Sequence, residues 1–417
     1  MKRILIRLPK SPFETASPER VLAEDLMAYN SGNLIFLESA YKLLDTRDAE
    51  ITPDRLEAHA MGPGYINEHF DIYVITLANA FRPTFEKSLQ RLSRVIEQLT
   101  IPVAVLGVGL QAPLPYESGV ARPFDDQVKA FVGAVLDRSP SIGVRGEYTY
   151  DYLRQLGFHD VEVIGCPSMF LHGDQMTITK RTPTLDRDAR IAMSVTTRVS
   201  AIGPMVTSHL ERYPNLRYVA QDRYALNLML WGEDPATADR VNPMPVHISH
   251  PFFRDDRTLF FVDPWPWLDY MREVDFAFGT RIHGNIAALI AGTPGYVLAH
   301  DSRTLELARY FDIPHRLVSD LTPETDASEL YAEADYGPLM AGHQQRFRTF
   351  IDYVERHGLS HVFQPGEDPN AFDARMAEIR FPPPAHVKAV TPIRRARRTT
   401  NRVIRKLDRA SRRLRPV

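Results

Sequence analysis

Residues Asp275–Asp301 read DFAFGTRIHGNIAALIAGTPGYVLAHD, and the order of residue types in this stretch decides the fold class. Val274–Phe278 is a short apolar run with the length of a central parallel strand, and Gly279, Thr280 and Gly284 supply turn chemistry behind it. A helix follows, with an apolar stripe at Ile286, Ala287, Leu289 and Ile290, and Gly292 with Pro294 marks its end. Gly295–Ala299 then makes the next strand. In an open parallel sheet, ligands bind outside the carboxyl ends of the strands, where helix N-termini present unpaired N–H groups. Arg281, His283 and Asn285 fall in that crevice, with the helix expected to start near Asn285. A guanidinium there suits a phosphate or carboxylate, and an imidazole adds proton transfer near neutral pH. The alternative reading makes Arg281 a surface ion pair and His283 a structural histidine.

The chain of 417 residues, 44% hydrophobic and 24% charged, is long enough for two domains and an appendage. One cysteine, Cys166, excludes an internal disulfide and leads us to expect a reducing compartment. The opening MKRILIRLPKSP reads as a first strand, not as an export signal, and no run of 18 apolar residues is present to span a membrane. The net charge of −2 conceals an asymmetry. Residues 393–417 carry eleven Lys and Arg against one acid, a net +10, so the rest of the chain carries −12. Val403, Ile404, Leu407, Ala410 and Leu414 approximate one helical stripe in this tail, which points to an anionic membrane surface. A solvated or partner-binding tail is the alternative, and nucleic acid is disfavoured.

Apolar runs and amphipathic segments alternate as βαβ units do. Strands are expected at Arg3–Leu8, Ile72–Thr76, Val103–Leu106, Ser141–Val144 and Val161–Ile164, with helices at Leu34–Leu44, Thr84–Gln98, Asp125–Leu136 and Tyr148–Leu156. These make an N-terminal Rossmann-like domain over residues 1–170, followed by a polar linker at 171–188. A second series at Arg190–Val195, Leu216–Ala220 and Thr258–Val262 joins the opening stretch in a C-terminal Rossmann-like domain, 189–335. A helical segment, 336–392, with Tyr336–Glu355 its clearest helix, precedes the basic tail at 393–417.

Other loops follow expected strands. Tyr29–Asn33, YNSGN, precedes the first long helix; it reads as an N-cap or as a place where backbone approaches a ligand. Gly107–Gln111, GVGLQ, permits tight turning. Gly143–Glu147, GVRGE, places Arg145 just past a strand, repeating the arrangement of Arg281. Cys166, in IGCPSMF, reads as a small buried residue under a turn and not as a nucleophile. His247 and His250 have a spacing that suits a metal, but no clear third ligand accompanies them, and a structural pair is the expectation.

The run Trp267–Pro314, WLDYMREVDFAFGTRIHGNIAALIAGTPGYVLAHDSRTLELARYFDIP, resembles the signature half of the polysaccharide pyruvyl transferase family. The earlier SGNLI, LGVGLQ, VRGEYTYDYLRQLG and VIGCPSMF segments match the family's remaining blocks in order. The resemblance covers residues 25 to 315. It departs at Asn33, where relatives often carry an aspartate, and at Gly146, where many carry an acid. It implies an α/β, GT-B-like fold: two Rossmann-like domains facing a central cleft, here with a helical C-terminal extension. The implied reaction moves the pyruvyl group of phosphoenolpyruvate onto two hydroxyls of one sugar as a cyclic ketal, releasing phosphate.

Under that resemblance Arg145 and Arg281 face each other as the donor clamp, with Asn285 beside them, and His283 with Arg281 carries the chemistry. Ketal formation needs a proton on the methylene carbon and a base for the attacking hydroxyl, and His283 is a candidate for one of these roles. Tyr29, Asn30 and Asn33 are candidates for the acceptor, a glycan or lipid-linked sugar. No metal or cofactor is expected, because arginines and a helix terminus can balance the charge of phosphoenolpyruvate. The expected location is the cytoplasm, on the inner face of the membrane, through the tail. Two other readings use the same scaffold: a GT-B glycosyltransferase with a nucleotide-sugar donor, and a non-catalytic carbohydrate-binding protein.

Overall fold

Twelve strands, all in parallel register, carry the molecule, which we describe from a computed structural model over residues 1–232 and 242–387. The first sheet comprises β1 (Lys2–Ile6), β2 (Ala49–Pro53), β3 (Ile72–Thr76) and β4 (Val103–Leu106) in the order β2-β1-β3-β4. Alternate residues of β3 enter different cores: Ile72 and Val74 pack on one face, Tyr73 and Ile75 on the other. This is the burial expected of a parallel sheet covered by helices on both sides. β5 (Ile142–Val144) and β6 (Val161–Val163) pair with each other and touch the end of β4 through a Val108–Val144 bridge.

The second sheet holds β7 (Ile191–Met193), β8 (Arg217–Ala220), β9 (Thr258–Phe260), β10 (Phe276–Gly279), β11 (Gly295–Ala299) and β12 (His315–Leu317) in the order β12-β11-β10-β7-β8-β9. That is the doubly wound Rossmann order, in which the chain starts at the centre, winds to one edge, returns and winds to the other. The neighbours β7 and β10 flank the switch point. The GT-B-like architecture of two Rossmann-like halves about a cleft is thus present.

Two expectations along the chain need correction. Strands β2 and β12 lie in stretches that gave no strand signal, because AEITP and HRL are short edge strands without a continuous apolar run. Residues 171–188 form no strand or helix, yet Leu171, Ile178 and Leu185 are buried in the core, so the segment is packed as well as connecting.

The C-terminal helix Gly337–Arg356 returns to the N-terminal half. Tyr353 places its hydroxyl between two strands, donating to Val105 O at 2.7 Å and accepting from Gly143 N–H at 3.0 Å. One side chain thereby bridges β4 and β5. His357 contacts Ser141 O at 3.1 Å, and Lys42 pairs with Asp373 at 2.7 Å. The halves also meet directly: Ser31 N–H donates to Gln221 O, and Ser302 N–H to Ala112 O. No helix of the described residues is long and apolar enough to cross a membrane. The basic tail at 393–417 and its proposed helical stripe lie outside the described residues.

Candidate active site

The crevice is built where β7 and β10 end side by side. Gly279 closes β10 with φ at 143°, and a Cβ there would stand 2.1 Å from Ser194 O. Only glycine lets the strand ends approach this closely. Arg281 N–H then donates to Ser194 O at 3.1 Å, and Thr196 N–H donates to Thr280 Oγ1 at 2.7 Å. The helix Ile282–Ile290 begins at once with Arg281 as its N-cap, three residues before the start expected near Asn285. Gly284 faces Ser194, whose Oγ would lie 2.5 Å from an added Cβ. At the far end Gly292, at φ 83°, donates to Leu289 O, and Thr293 N–H to Ala288 O, which closes the helix as its glycine and proline foretell.

Asn285 stands inside the helix with 0% exposure, and its amide donates to Gly279 O at 3.0 Å. It holds the strand-to-helix turn from behind, and that engagement accounts for the early start of the helix. Arg281 donates to Asp222 Oδ2 at 2.8 Å and, more weakly, to Val195 O at 3.3 Å. Its side chain remains 17% exposed at the crevice mouth.

Arg145 is the deepest cation. It is 1% exposed, donates from Nε to Gly107 O at 2.8 Å and lies over the Phe36 ring. Gly109 makes room for it, since a Cβ there would meet Arg145 Cδ at 2.9 Å. The second glycine of GVGLQ therefore accommodates an arginine, while Gly107 packs against Gly165 O. Cys166 Sγ lies 3.8 Å from both Arg145 Nη2 and His283 Nε2, and 3.3 Å from Ser168 Oγ. Cys166 is buried as expected, and its histidine neighbour is brought there from 117 positions along the chain.

His283 is 7% exposed, and burial, followed by the charges of Arg145 and Arg303, holds its pKa well below the usual histidine value. The imidazole is neutral at rest. The two arginines acting on it come from opposite halves, and the second is Arg303 from DSRTLEL, not Arg281. The charge of Arg281 acts instead on His300, which burial and nearby arginines push down to about 4. The charges that lower His283 are thus those of Arg145 and Arg303, while Arg281 pairs with Asp222 at the crevice mouth.

Glu306, also in DSRTLEL, ties the halves together. It is fully buried and accepts from Thr149 N–H at 3.0 Å and from the Thr149 hydroxyl at 2.9 Å. It thereby caps the helix Glu147–Gln155 from the other side of the cleft. Burial raises its pKa to about 8. Gly146 is required beside it, because a Cβ there would meet Glu306 Cβ at 2.8 Å.

The Tyr29–Asn33 loop is docked on the second half, with Asn30 bridging to Asp222. A Cβ on Gly32 would stand 2.7 Å from His283 Cβ, so this loop forms one wall beside the histidine. Asn30 Oδ1 accepts from Gly32 N–H, and the Asn33 amide donates to Ala28 O, so both side chains shape the loop itself. Tyr29 is 62% exposed, at φ 70°. His247 and His250 lie apart from this crevice and bond to Ser249 and Pro243 O. Among the described residues no cluster of three His, Cys, Asp or Glu has a metal-holding arrangement.

Sequence reasoning missed Arg82, Arg198 and Arg303 as members of the crevice. Each follows an expected strand by a few residues, which is the signal that could have found them. Asn79, with its amide oxygen turned toward them, lies 2.8 Å from Arg82 Nη1 and 2.9 Å from Arg303 Nη1.

A family model described as polysaccharide pyruvyl transferase matches residues 30–302. Similar solved structures include a UDP-GlcNAc 2-epimerase of Methanocaldococcus jannaschii in complex with UDP-GlcNAc and UDP. It is 12% identical, with 85% of this chain and 99% of that one covered, at a TM-score of 0.47. A putative UDP-N-acetylglucosamine 2-epimerase of Listeria monocytogenes is also 12% identical, covering 92% of this chain and 98% of that one, at 0.39. Likenesses of this degree bear on neither substrate nor chemistry. No curated protein matches the chain.

Proposed function

The chain belongs to the polysaccharide pyruvyl transferase family, and from that premise we propose that its cleft transfers the pyruvyl group of phosphoenolpyruvate to two hydroxyls of one sugar, forming a cyclic ketal and releasing phosphate. The observation that carries this reading is the buried His283, whose Nε2 lies 3.8 Å from the same Cys166 Sγ that the buried Arg145 approaches at 3.8 Å, with the charge of Arg303 also acting on it. A donor bearing a phosphate and a carboxylate needs several cationic groups converging from more than one direction.

His283 is suited to receive a proton. Once an anionic donor lies against Arg145 and Arg303, its charge opposes theirs and the proton affinity of the imidazole rises. In the proposed sequence His283 takes the proton of the first attacking hydroxyl and delivers it to the methylene carbon, which becomes the methyl group. The first oxygen bonds to C2, the C2–O bond to phosphate breaks, and the second hydroxyl adds. Its proton leaves with phosphate, so the two hydroxyl protons account for both products. The N–H groups at the start of the helix Ile282–Ile290 and the Arg281 side chain would stabilise the departing phosphate. The acceptor, a glycan or lipid-linked sugar, would enter past the Tyr29–Asn33 loop. The reading needs no cofactor, and it puts the protein in the cytoplasm at the inner membrane face.

The test is to incubate the protein with phosphoenolpyruvate and a panel of nitrophenyl and lipid-linked sugars, measuring phosphate and the pyruvyl adduct by mass spectrometry. His283→Gln and Arg281→Ala are each expected to abolish both products with little change in thermal stability. Retained turnover in both variants would overturn the site assignment. Thermal stabilisation by a nucleoside diphosphate but not by phosphoenolpyruvate would favour a glycosyltransferase instead.

A further inference from the structure

The loop after β6 holds the Cys166 thiol in one place. The chain turns at Gly165 with φ at 76°, and a Cβ there would stand 2.5 Å from the rings of both Tyr310 and Phe311 in the other half. Only glycine fits that turn. Directly beyond the cysteine, the turn Pro167–Phe170 is anchored by the Phe170 ring, which packs against Phe311, Phe347 and Phe350 at 5.6, 5.7 and 5.0 Å between centroids. The sulfur so placed has three polar neighbours: Ser168 Oγ at 3.3 Å, Arg145 Nη2 at 3.8 Å and His283 Nε2 at 3.8 Å.

These contacts restrict where the hydrogens sit. A guanidinium only donates, so Arg145 engages one lone pair of the sulfur. The single thiol hydrogen goes to the nearest acceptor, Ser168 Oγ. The remaining lone pair faces His283, whose Nε2 must then carry a hydrogen to donate to it. In a neutral imidazole the hydrogen bond at one nitrogen fixes the state of the other. Nδ1 takes no partner among the described residues, which leaves it as the nitrogen free to accept a proton. Cys166 itself is 0% exposed, so any effect it has on a substrate passes through the histidine.

We propose that Cys166 is a positioning residue: by accepting from Nε2–H, it holds His283 in the tautomer whose Nδ1 takes the proton of the attacking sugar hydroxyl and returns it to the methylene carbon. The chemical consequence rests on the function proposed above, while the tautomer is a property of the free protein. Nδ1 both gains and loses the proton, so Nε2–H stays on the sulfur throughout, and no bond forms to Cys166. The sulfur also fixes spacing. Arg145 and His283 come from opposite halves and share it as one acceptor.

The experiment uses the full chain, isotopically labelled at the histidine ring nitrogens, and reads the tautomer from their magnetic resonance shifts. The signals absent from His283→Gln identify those of His283. The wild type is expected to show Nε2–H. Cys166→Ala is expected to move the population toward Nδ1–H and to lower kcat about tenfold, with KM for phosphoenolpyruvate within about twofold, one hydrogen bond being lost. Cys166→Ser, whose hydroxyl still accepts from Nε2, is expected to restore the tautomer and part of kcat. Melting curves identify a variant that fails to fold, and the other variant then carries the test. An Nδ1–H tautomer in the wild type overturns the proposal, as do wild-type ring shifts in Cys166→Ala. An Nε2–H tautomer that depends on Cys166, in a protein that releases no phosphate from phosphoenolpyruvate with any sugar offered, overturns the proposed function alone.

Discussion

Glu306 makes stability depend on pH in a direction opposite to that of an ordinary salt-bridged carboxylate. It is 0% exposed, and burial raises its pKa from 4.5 to about 8. An acid with a raised folded pKa keeps a proton that the unfolded chain has released. Its stabilising contribution is complete below 4.5, falls as pH rises and levels off above about 8. Glu38, at 5% exposure, is also raised to about 8 by burial. The buried histidines with lowered values, among them His250 and His300 at about 4, act in the opposite sense, most strongly below 6.5 and with a diminishing share above it, so they offset part of the loss in the wild type. Between pH 6.5 and 8 each raised carboxyl contributes a loss of roughly 1 to 2 kcal/mol. The test is therefore the difference between two chains: urea denaturation across this window is expected to show Glu306→Gln, which keeps an acceptor for Thr149, losing roughly 1 to 2 kcal/mol less than the wild type. An unchanged pH slope in Glu306→Gln refutes the reasoning.

Two further outcomes are expected. Tyr353→Phe leaves Gly143 N–H and Val105 O without their shared hydroxyl, which should cost about 2 kcal/mol or more in urea denaturation, with phosphoenolpyruvate binding preserved. A chain ending at residue 392 should sediment less than the full chain with anionic vesicles at moderate salt, because the tail carries a net +10. Equal sedimentation of the two would exclude tethering through the tail.

Much of the fold was legible because its strands are buried on both faces. β3, β4 and β11 are short continuous apolar runs whose bounds in the structure match the sequence expectation. β2 and β12 lack that signal because edge strands bury less. Arg145, Arg281 and His283 were legible as crevice residues, since each follows a strand at the point where a helix starts. The start at Ile282 was not, because it depends on the Asn285 amide reaching back to Gly279 O.

Local pattern by itself determined two series of βα units and the loops on which cations would fall, because periodicity and turn chemistry act over a few residues. The tertiary structure decided which of those cations meet. Arg145 and Arg303 act together on His283 because the two sheets turn their carboxyl edges toward each other, and Glu306 and Tyr353 join segments 157 and 248 positions apart. Charge and burial at the site are sums over groups distant in the chain, and they exist only once both halves are packed.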